Sequence, residues 1–405
     1  MIAAGPATDR SPSRPESIPL SAPEIAGNEW RYVRECLDTG WVSSAGPFVD
    51  RFEAALAAHT GRRYAVATVN GTSALHAALV ATGIGDHDEV IVSTLTFIAP
   101  ANTIRYTGAA PVFVDADPHY WQMDPDKLRH LLERRCAWRA GALYNRSTGR
   151  RVRAIMPVDA LGHPADLDAI VEIARRYELI VIEDASESLG AEYRGEPVGR
   201  RGDIVCFSFN GNKIATAGGG GALLTDHAEW ARRARHLTTQ AKADPVEYVH
   251  DHVGYNYRLT NLQAAVGLAQ IERLGHAVET KRRIAARYEQ AFAGVDGLTP
   301  MPEAAWARST YWLYTVLVDP RRFGVDARGL MRRLRQQRIE CRPLWQPLHR
   351  SPAHAGSTAT DCRVAERLYE TALSLPSSVG LTPPAQDIVV EAVLACAGRP
   401  DRTVA

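Results

Sequence analysis

The sequence predicts an α/β protein built on a mostly parallel sheet, and three observations carry that reading. Short apolar runs of strand length alternate with helix-period segments between residues 64 and 224, the βαβ rhythm of a sheet covered on both faces. The 405 residues, 45% hydrophobic and 23% charged, suffice for a large core and a second, smaller domain. The 46 acidic residues nearly balance 47 lysines and arginines, so no strong field favours nucleic acid or a membrane surface. The function therefore has to be read from a site.

Residues 1–17 are rich in Pro, Ser, Ala and Arg, lack the apolar stretch of a signal peptide, and read as a disordered tail. Trp30, Val33 and Leu37 then recur at helical spacing with Gly40 as the stop, and a second short helix is expected over 49–58. Strand 64–69, helix 73–81, strand 90–92, helix 99–106 and strand 111–114 follow. The rhythm resumes with strand 154–158, helix 165–177, strand 179–182 and short strands near 204–208 and 221–224. These segments form one large domain, 18–275. Beyond Asn261 the pattern is helical over 262–274 and from 278 toward 295. Strands 311–318 and 339–342 with helices 327–337 and 387–397 give a small C-terminal α/β domain, 276–400. No segment is long and apolar enough to span a bilayer, and the six scattered cysteines form no CxxC pair or metal spacing. Both features suit a reducing compartment, the cytoplasm.

The chain holds four lysines, and Lys213 is the one that follows a strand and precedes the glycines Gly218 to Gly221. A lysine on such a turn can hold an aldehyde cofactor as a Schiff base, which arginine cannot do; the alternative is an ordinary surface lysine. In a parallel sheet the site lies at the carboxyl ends of the strands, so polar residues just after apolar runs are the ones to weigh. Asp184 follows the 179–182 run and either faces a cofactor's ring nitrogen or caps the next segment. Gly71, Thr72 and Ser73 lie between a strand and a helix, where backbone amides cradle phosphate, although Thr72 and Ser73 serve equally well as N-caps. Ser208 is a further donor or a plain strand-end serine, and Phe97 stacks on a planar cofactor or packs in the core. The glycine run lacks the GxGxxG spacing of a dinucleotide site, and no histidine pair has catalytic-metal spacing.

Six motifs in order, GWVSS at 40–44, NGTSAL at 70–75, Thr96-Phe97, EDASE at 183–187, FSFNGNK at 207–213 and GYNYRL at 254–259, resemble the DegT/StrS-type nucleotide-sugar aminotransferases. FNGNK together with RPLW at 342–345 resembles the branch that aminates the 4-keto group of UDP-linked 4-keto-6-deoxy-N-acetylhexosamine. The resemblance implies a type I pyridoxal phosphate (PLP)-dependent aminotransferase fold, a homodimer, glutamate as amino donor, and PLP alternating with its pyridoxamine form. It also implies roles for individual residues. Lys213 is the Schiff-base lysine and Asp184 the pyridinium partner. Thr72 and Ser208 contact the phosphate and Phe97 stacks on the ring. Asn256 reaches the neighbouring subunit's phosphate, and Glu187 stands where much of the family has Gln or His beside the phenolic oxygen. Trp41, Val42, Ser43, Arg342, Trp345 and His349 line the nucleotide-sugar side. The alternatives are a sugar dehydratase on the same fold, whose members carry histidine in place of Lys213, and a non-catalytic regulatory protein, which would have lost Asp184 or Lys213.

Overall fold

The computed structural model describes residues 17–244 and 246–398. All of the expected tail except residue 17 lies outside them. In spatial order the large sheet runs Tyr64–Thr68, Gly221–Thr225, Ile204–Ser208, Ile180–Asp184, Arg151–Met156, Asp88–Ser93, Ala110–Val114 and the short Thr358–Ala359. A hairpin, Cys136–Arg139 with Ala142–Asn145, brings it to ten strands. Apart from that hairpin, whose strand Ala142–Asn145 meets Arg151–Met156 antiparallel, only Gly221–Thr225 runs against its neighbours, pairing antiparallel with Tyr64–Thr68 and with Ile204–Ser208. Two reversals restore direction, so Tyr64–Thr68 points the same way as the parallel strands. The segments that follow these seven strands therefore emerge at one edge.

Alternation along the strands explains why both faces are covered. Val90, Val92, Ile182, Ile204 and Cys206 face one side with Ala74, Leu75, Ala78 and Ile104 of the helices Gly71–Ala81 and Ala99–Tyr106. Val205 and Phe207 face the other with Phe48, Phe52 and Leu56 of the helix Pro47–Thr60. There Ile91, Ile155 and Val181 also meet Leu128, Leu131, Ile170 and Ile173 from the helices Pro125–Arg135 and Leu167–Arg176.

Local chemistry sets the boundaries. Pro47 opens its helix at N1, and Gly61 closes it in the left-handed region at φ 71° with its amide on Ala57 O. Asp124 caps Pro125–Arg135, a helix the periodicity did not reveal although the Asp-Pro signal was present. The helix expected over 73–81 starts at Gly71, because Asn70 is its N-cap and accepts from Ser73 N at 2.8 Å. Neither Thr72 nor Ser73 is the cap.

A second sheet, antiparallel throughout, orders Leu298–Pro300, Tyr314–Val318, Ala372–Leu375 and Arg342–Pro343. Its core gathers Ile284, Tyr288 and Phe292 from the long helix Leu274–Phe292 with Leu330, Leu334, Val389 and Val393. Ile18 joins this core and bridges Ile339, so the chain's start crosses to its C-terminal half. No helix of the described residues is long and apolar enough to cross a membrane.

Candidate active site

The strand ends open into a cleft of roughly 720 Å³ lined by Gly71, Thr72, Phe97, Asp184, Glu187, Ser208, Lys213, Arg342 and Trp345, among others. That volume suits a cofactor with part of a substrate. Lys213 lies on the turn between Ile204–Ser208 and Gly221–Thr225, its amide bonded to Asn210 O, its side chain only 13% exposed. Its Nζ donates to Glu187 Oε1 at 3.3 Å and lies 4.0 Å from the centre of the Trp312 ring. It is thus held between an acid and an aromatic face at the cleft wall.

Glu187 is buried, and its other oxygen accepts from Leu161 N at 2.8 Å. Burial pushes its carboxyl upward, while Lys213 and the Leu161 amide pull it back. Asp184 ends its strand, buried, with Oδ1 accepting from Ser186 N at 3.1 Å. It therefore caps a turn and lines the cleft at once. Burial raises its pKa too, offset in part by Ser186 and Lys213. Behind it Asp159 accepts from Ala165 N and Ser188 Oγ, yet burial pushes its pKa up to about 7. Neighbouring Glu183 has no hydrogen-bond donor to either oxygen, and burial with the Asp159 charge holds it well above the carboxylate range.

A β-carbon on Gly71 would sit 2.9 Å from Ser208 Cβ and 3.3 Å from Ser208 Oγ and Cα. The glycine therefore lets the helix N-terminus and the Ser208 hydroxyl meet across a gap too narrow for a side chain, a cradle fit for phosphate. With Asp184 and Lys213 lining the same cleft, the groups present fit pyridoxal phosphate at its phosphate, ring nitrogen and aldehyde.

The other anticipated residues divide. Phe97, 55% exposed, lines the cleft and is not core. Ser73 is buried with its amide committed to Asn70 and does not line the cleft. His349 also stands outside, with Nδ1 2.8 Å from Thr94 Oγ1 and Nε2 3.2 Å from Glu366. Asn256 is exposed and bridges Thr239, while Trp41, Val42 and Ser43 lie exposed at the end of the first helix, none of them in this chain's cleft.

Sequence reasoning missed Trp312, Leu161, Leu20, Ser21 and Glu340. No local pattern distinguishes them, because the fold brings them in from remote segments. Among the described residues the one group with metal-like spacing is His236, Asp251 and His252, remote in sequence from these, where Asp251 Oδ1 already meets both imidazoles at 2.6 and 3.0 Å.

A model of the DegT/DnrJ/EryC1/StrS aminotransferase family matches residues 23–394. The chain is 41% identical to the GDP-perosamine synthase of Caulobacter vibrioides over 93% of its own length and 97% of that protein's. It is 38% identical to the GDP-perosamine synthase of Escherichia coli O157:H7, over 90% and 94%. Among solved structures, S. venezuelae DesV superimposes with a TM-score of 0.82 at 32% identity, covering 92% of this chain and 95% of DesV.

Proposed function

We propose that this chain, which belongs to the DegT/DnrJ/EryC1/StrS aminotransferase family and is a pyridoxal phosphate-dependent sugar aminotransferase, moves an amino group from glutamate to the 4-keto carbon of a nucleotide-linked 4-keto-6-deoxy sugar. The observation that carries the chemistry is Lys213 Nζ, 3.3 Å from Glu187 in one cleft with Asp184 and the Gly71–Ser208 cradle. We take the nucleotide to be GDP, because the GDP-perosamine synthases match along at least 90% of the chain. A UDP-linked N-acetylhexosamine is the second reading, favoured by the FNGNK run and by Arg342 and Trp345 on the cleft wall.

When bound, pyridoxal phosphate supplies a carrier for the amino group and an electron sink for the carbanion formed at the reacting carbon. The protein's part is to orient and to move protons. The amides of Gly71 and Thr72 with Ser208 Oγ hold an anion, and the Asp184 carboxylate keeps a cationic ring nitrogen protonated. Phe97 offers a face for stacking. Lys213 Nζ holds the cofactor, and once freed it takes the α-proton of glutamate and later delivers a proton to the sugar carbon. Glu187 fixes where Nζ stands.

We further read the molecule as a homodimer in which Asn256 and Trp41 to Ser43 serve the neighbouring cleft. Their absence from their own cleft supports this. So do the exposed Trp30 (80%), Leu37 and Trp41 at one end of the chain and Val246, Tyr248 and Val253 near Asn256. The division into domains 18–275 and 276–400 is likewise our reading, supported by the separate ten- and four-stranded sheets, although Thr358–Ala359 returns to the larger one.

The test is incubation with glutamate and GDP- and UDP-linked 4-keto-6-deoxy sugars beside 3-keto isomers, with products identified by mass spectrometry. Amination of the GDP-linked 4-keto sugar is expected; a deoxygenated product, or no amine from any of them, would overturn the proposal. Lys213→Ala should lose turnover and the yellow colour together.

A further inference from the structure

We propose that Lys281 and Trp312 are positioning residues for Lys213, the buried Lys281 amine fixing the Trp312 backbone so that the indole supports both the Lys213 amine and the peptide before it. This rests on the reading of Lys213 as the lysine that carries the cofactor.

Lys281 lies on the helix Leu274–Phe292, 2% exposed. Its Nζ donates to Trp312 O at 2.9 Å and to Ser377 O at 2.6 Å, and neither partner is a carboxylate. A buried amine held only by carbonyls is costly, and here burial alone pushes its pKa down to about 7. An apolar side chain would spare that cost but leave the two carbonyls without this donor, so what the amine adds is specific to these two backbones. What the amine does is join two backbones. Trp312 stands two residues before the strand Tyr314–Val318, and Ser377 two after Ala372–Leu375. Ser377 Oγ accepts from Tyr314 N at 2.9 Å and donates to Leu375 O at 2.7 Å, so the junction is closed from both sides.

Beyond the junction the Trp312 side chain, otherwise packed in the core, makes a hydrogen bond and a cation–π contact, and both lead to Lys213. Indole Nε1 donates to the carbonyl of Asn212 at 2.7 Å, which also accepts from Ser21 Oγ at 2.9 Å. The ring lies 4.0 Å from Lys213 Nζ, within cation–π range. Lys213 Nζ is thus set by Glu187 on one side and Trp312 on the other, and Trp312 is set by Lys281. Displacing a reacting group by about 1 Å can cost on the order of 100-fold in rate.

The test uses full-length Lys281→Met, Trp312→Phe and Trp312→Leu, each as apoprotein and reconstituted enzyme. The rate at which apoprotein captures pyridoxal phosphate is followed by borohydride trapping and mass analysis of the Lys213 peptide, beside melting temperature, kcat and KM. Capture by Trp312→Leu should slow by about 10- to 100-fold. Trp312→Phe should fall between, keeping an aromatic face but losing the bond to Asn212. Lys281→Met should follow Trp312→Leu in capture and kcat, with KM for the nucleotide sugar within about 3-fold of the parent. A Lys281→Met protein that melts lower but captures at the parent rate overturns the proposal. Should that variant not fold, parent-rate capture by Trp312→Leu overturns it instead. Trapping on a lysine other than Lys213 in the parent protein is a different failure, since it removes the premise.

Discussion

Gly71→Ala isolates the phosphate cradle from the rest of the site. The new β-carbon would stand 2.9 Å from Ser208 Cβ and 3.3 Å from Ser208 Cα. Neither atom can rotate away, because both belong to the end of a strand paired with Gly221–Thr225. Gly71 is not in the left-handed region, so alanine meets no backbone penalty and the contact alone decides. An ordinary carbon contact needs about 0.5 Å more, and the helix N-terminus is the element free to give it. Overpacking of this kind costs roughly 1–3 kcal/mol. The same displacement lengthens the amide bonds to a bound phosphate, each worth about 1.5–3 kcal/mol when the acceptor is charged.

We expect the dissociation constant for pyridoxal phosphate to rise by about 10- to 100-fold, with roughly 1.4 kcal/mol per tenfold. Titration of apoprotein by absorbance measures it. The control is a double-mutant cycle with Ser208→Gly, which removes the opposing β-carbon. Gly71→Ala should weaken binding strongly beside Ser208 and much less in the Ser208→Gly background. Additive effects, or parent-like affinity in a folded Gly71→Ala protein, would refute the cradle.

Two further changes probe the acids. Glu187→Gln can still accept from Leu161 N but no longer offers Lys213 a charge; cofactor capture should slow by about 10-fold while the melting temperature stays within a few degrees, and unchanged capture would show that Glu187 does not orient Nζ. Asp159 has its pKa raised by burial to about 7, so the folded protein holds its proton at pH values where the unfolded chain has released it. The stability it contributes is present below about pH 4 and lost as pH rises toward 7. Urea melts of apoprotein between pH 4.5 and 8 should therefore fall less steeply with pH in Asp159→Asn than in the parent, and equal slopes would contradict the assignment.

The sheet and the residues along its rim were legible because they obey local rules: alternation for the strands, and for Gly71, Asp184, Ser208 and Lys213 a place at a strand's carboxyl end or on the turn after it. The boundary at Gly71 was misread because Thr72 and Ser73 are themselves good caps, and only Asn70 Oδ1 on Ser73 N decides among them. Trp312 was illegible for a different reason. In sequence it is one more aromatic in the run Tyr311 to Tyr314, and its role depends on Lys281 and Asn212, 31 and 100 positions away. Ile18 to Ser21 looked like the start of the large domain, yet they pair with Glu340 and Asn212 across the fold. His349, expected on the nucleotide-sugar side, has both ring nitrogens next to Thr94 and Glu366 and is not among the residues that line the cleft of this chain.

The acids around Lys213 divide the work by burial. Asp159 and Glu183 lie behind the cleft, where burial pushes both upward, joined by the Asp184 charge at Asp159 and the Asp159 charge at Glu183. Of the acids that line the cleft, Asp184, Glu187 and Glu340, the first two are those on which the Lys213 charge acts. Were Lys213 to lose its charge on holding the cofactor, Glu187 would lose the cation that pulls its pKa down while burial and Asp184 still push it up, so its neutral form would gain. Asp184 would lose the same cation, and a protonated ring nitrogen would take its place. The charge at Lys213 is therefore the variable that would separate the two acids.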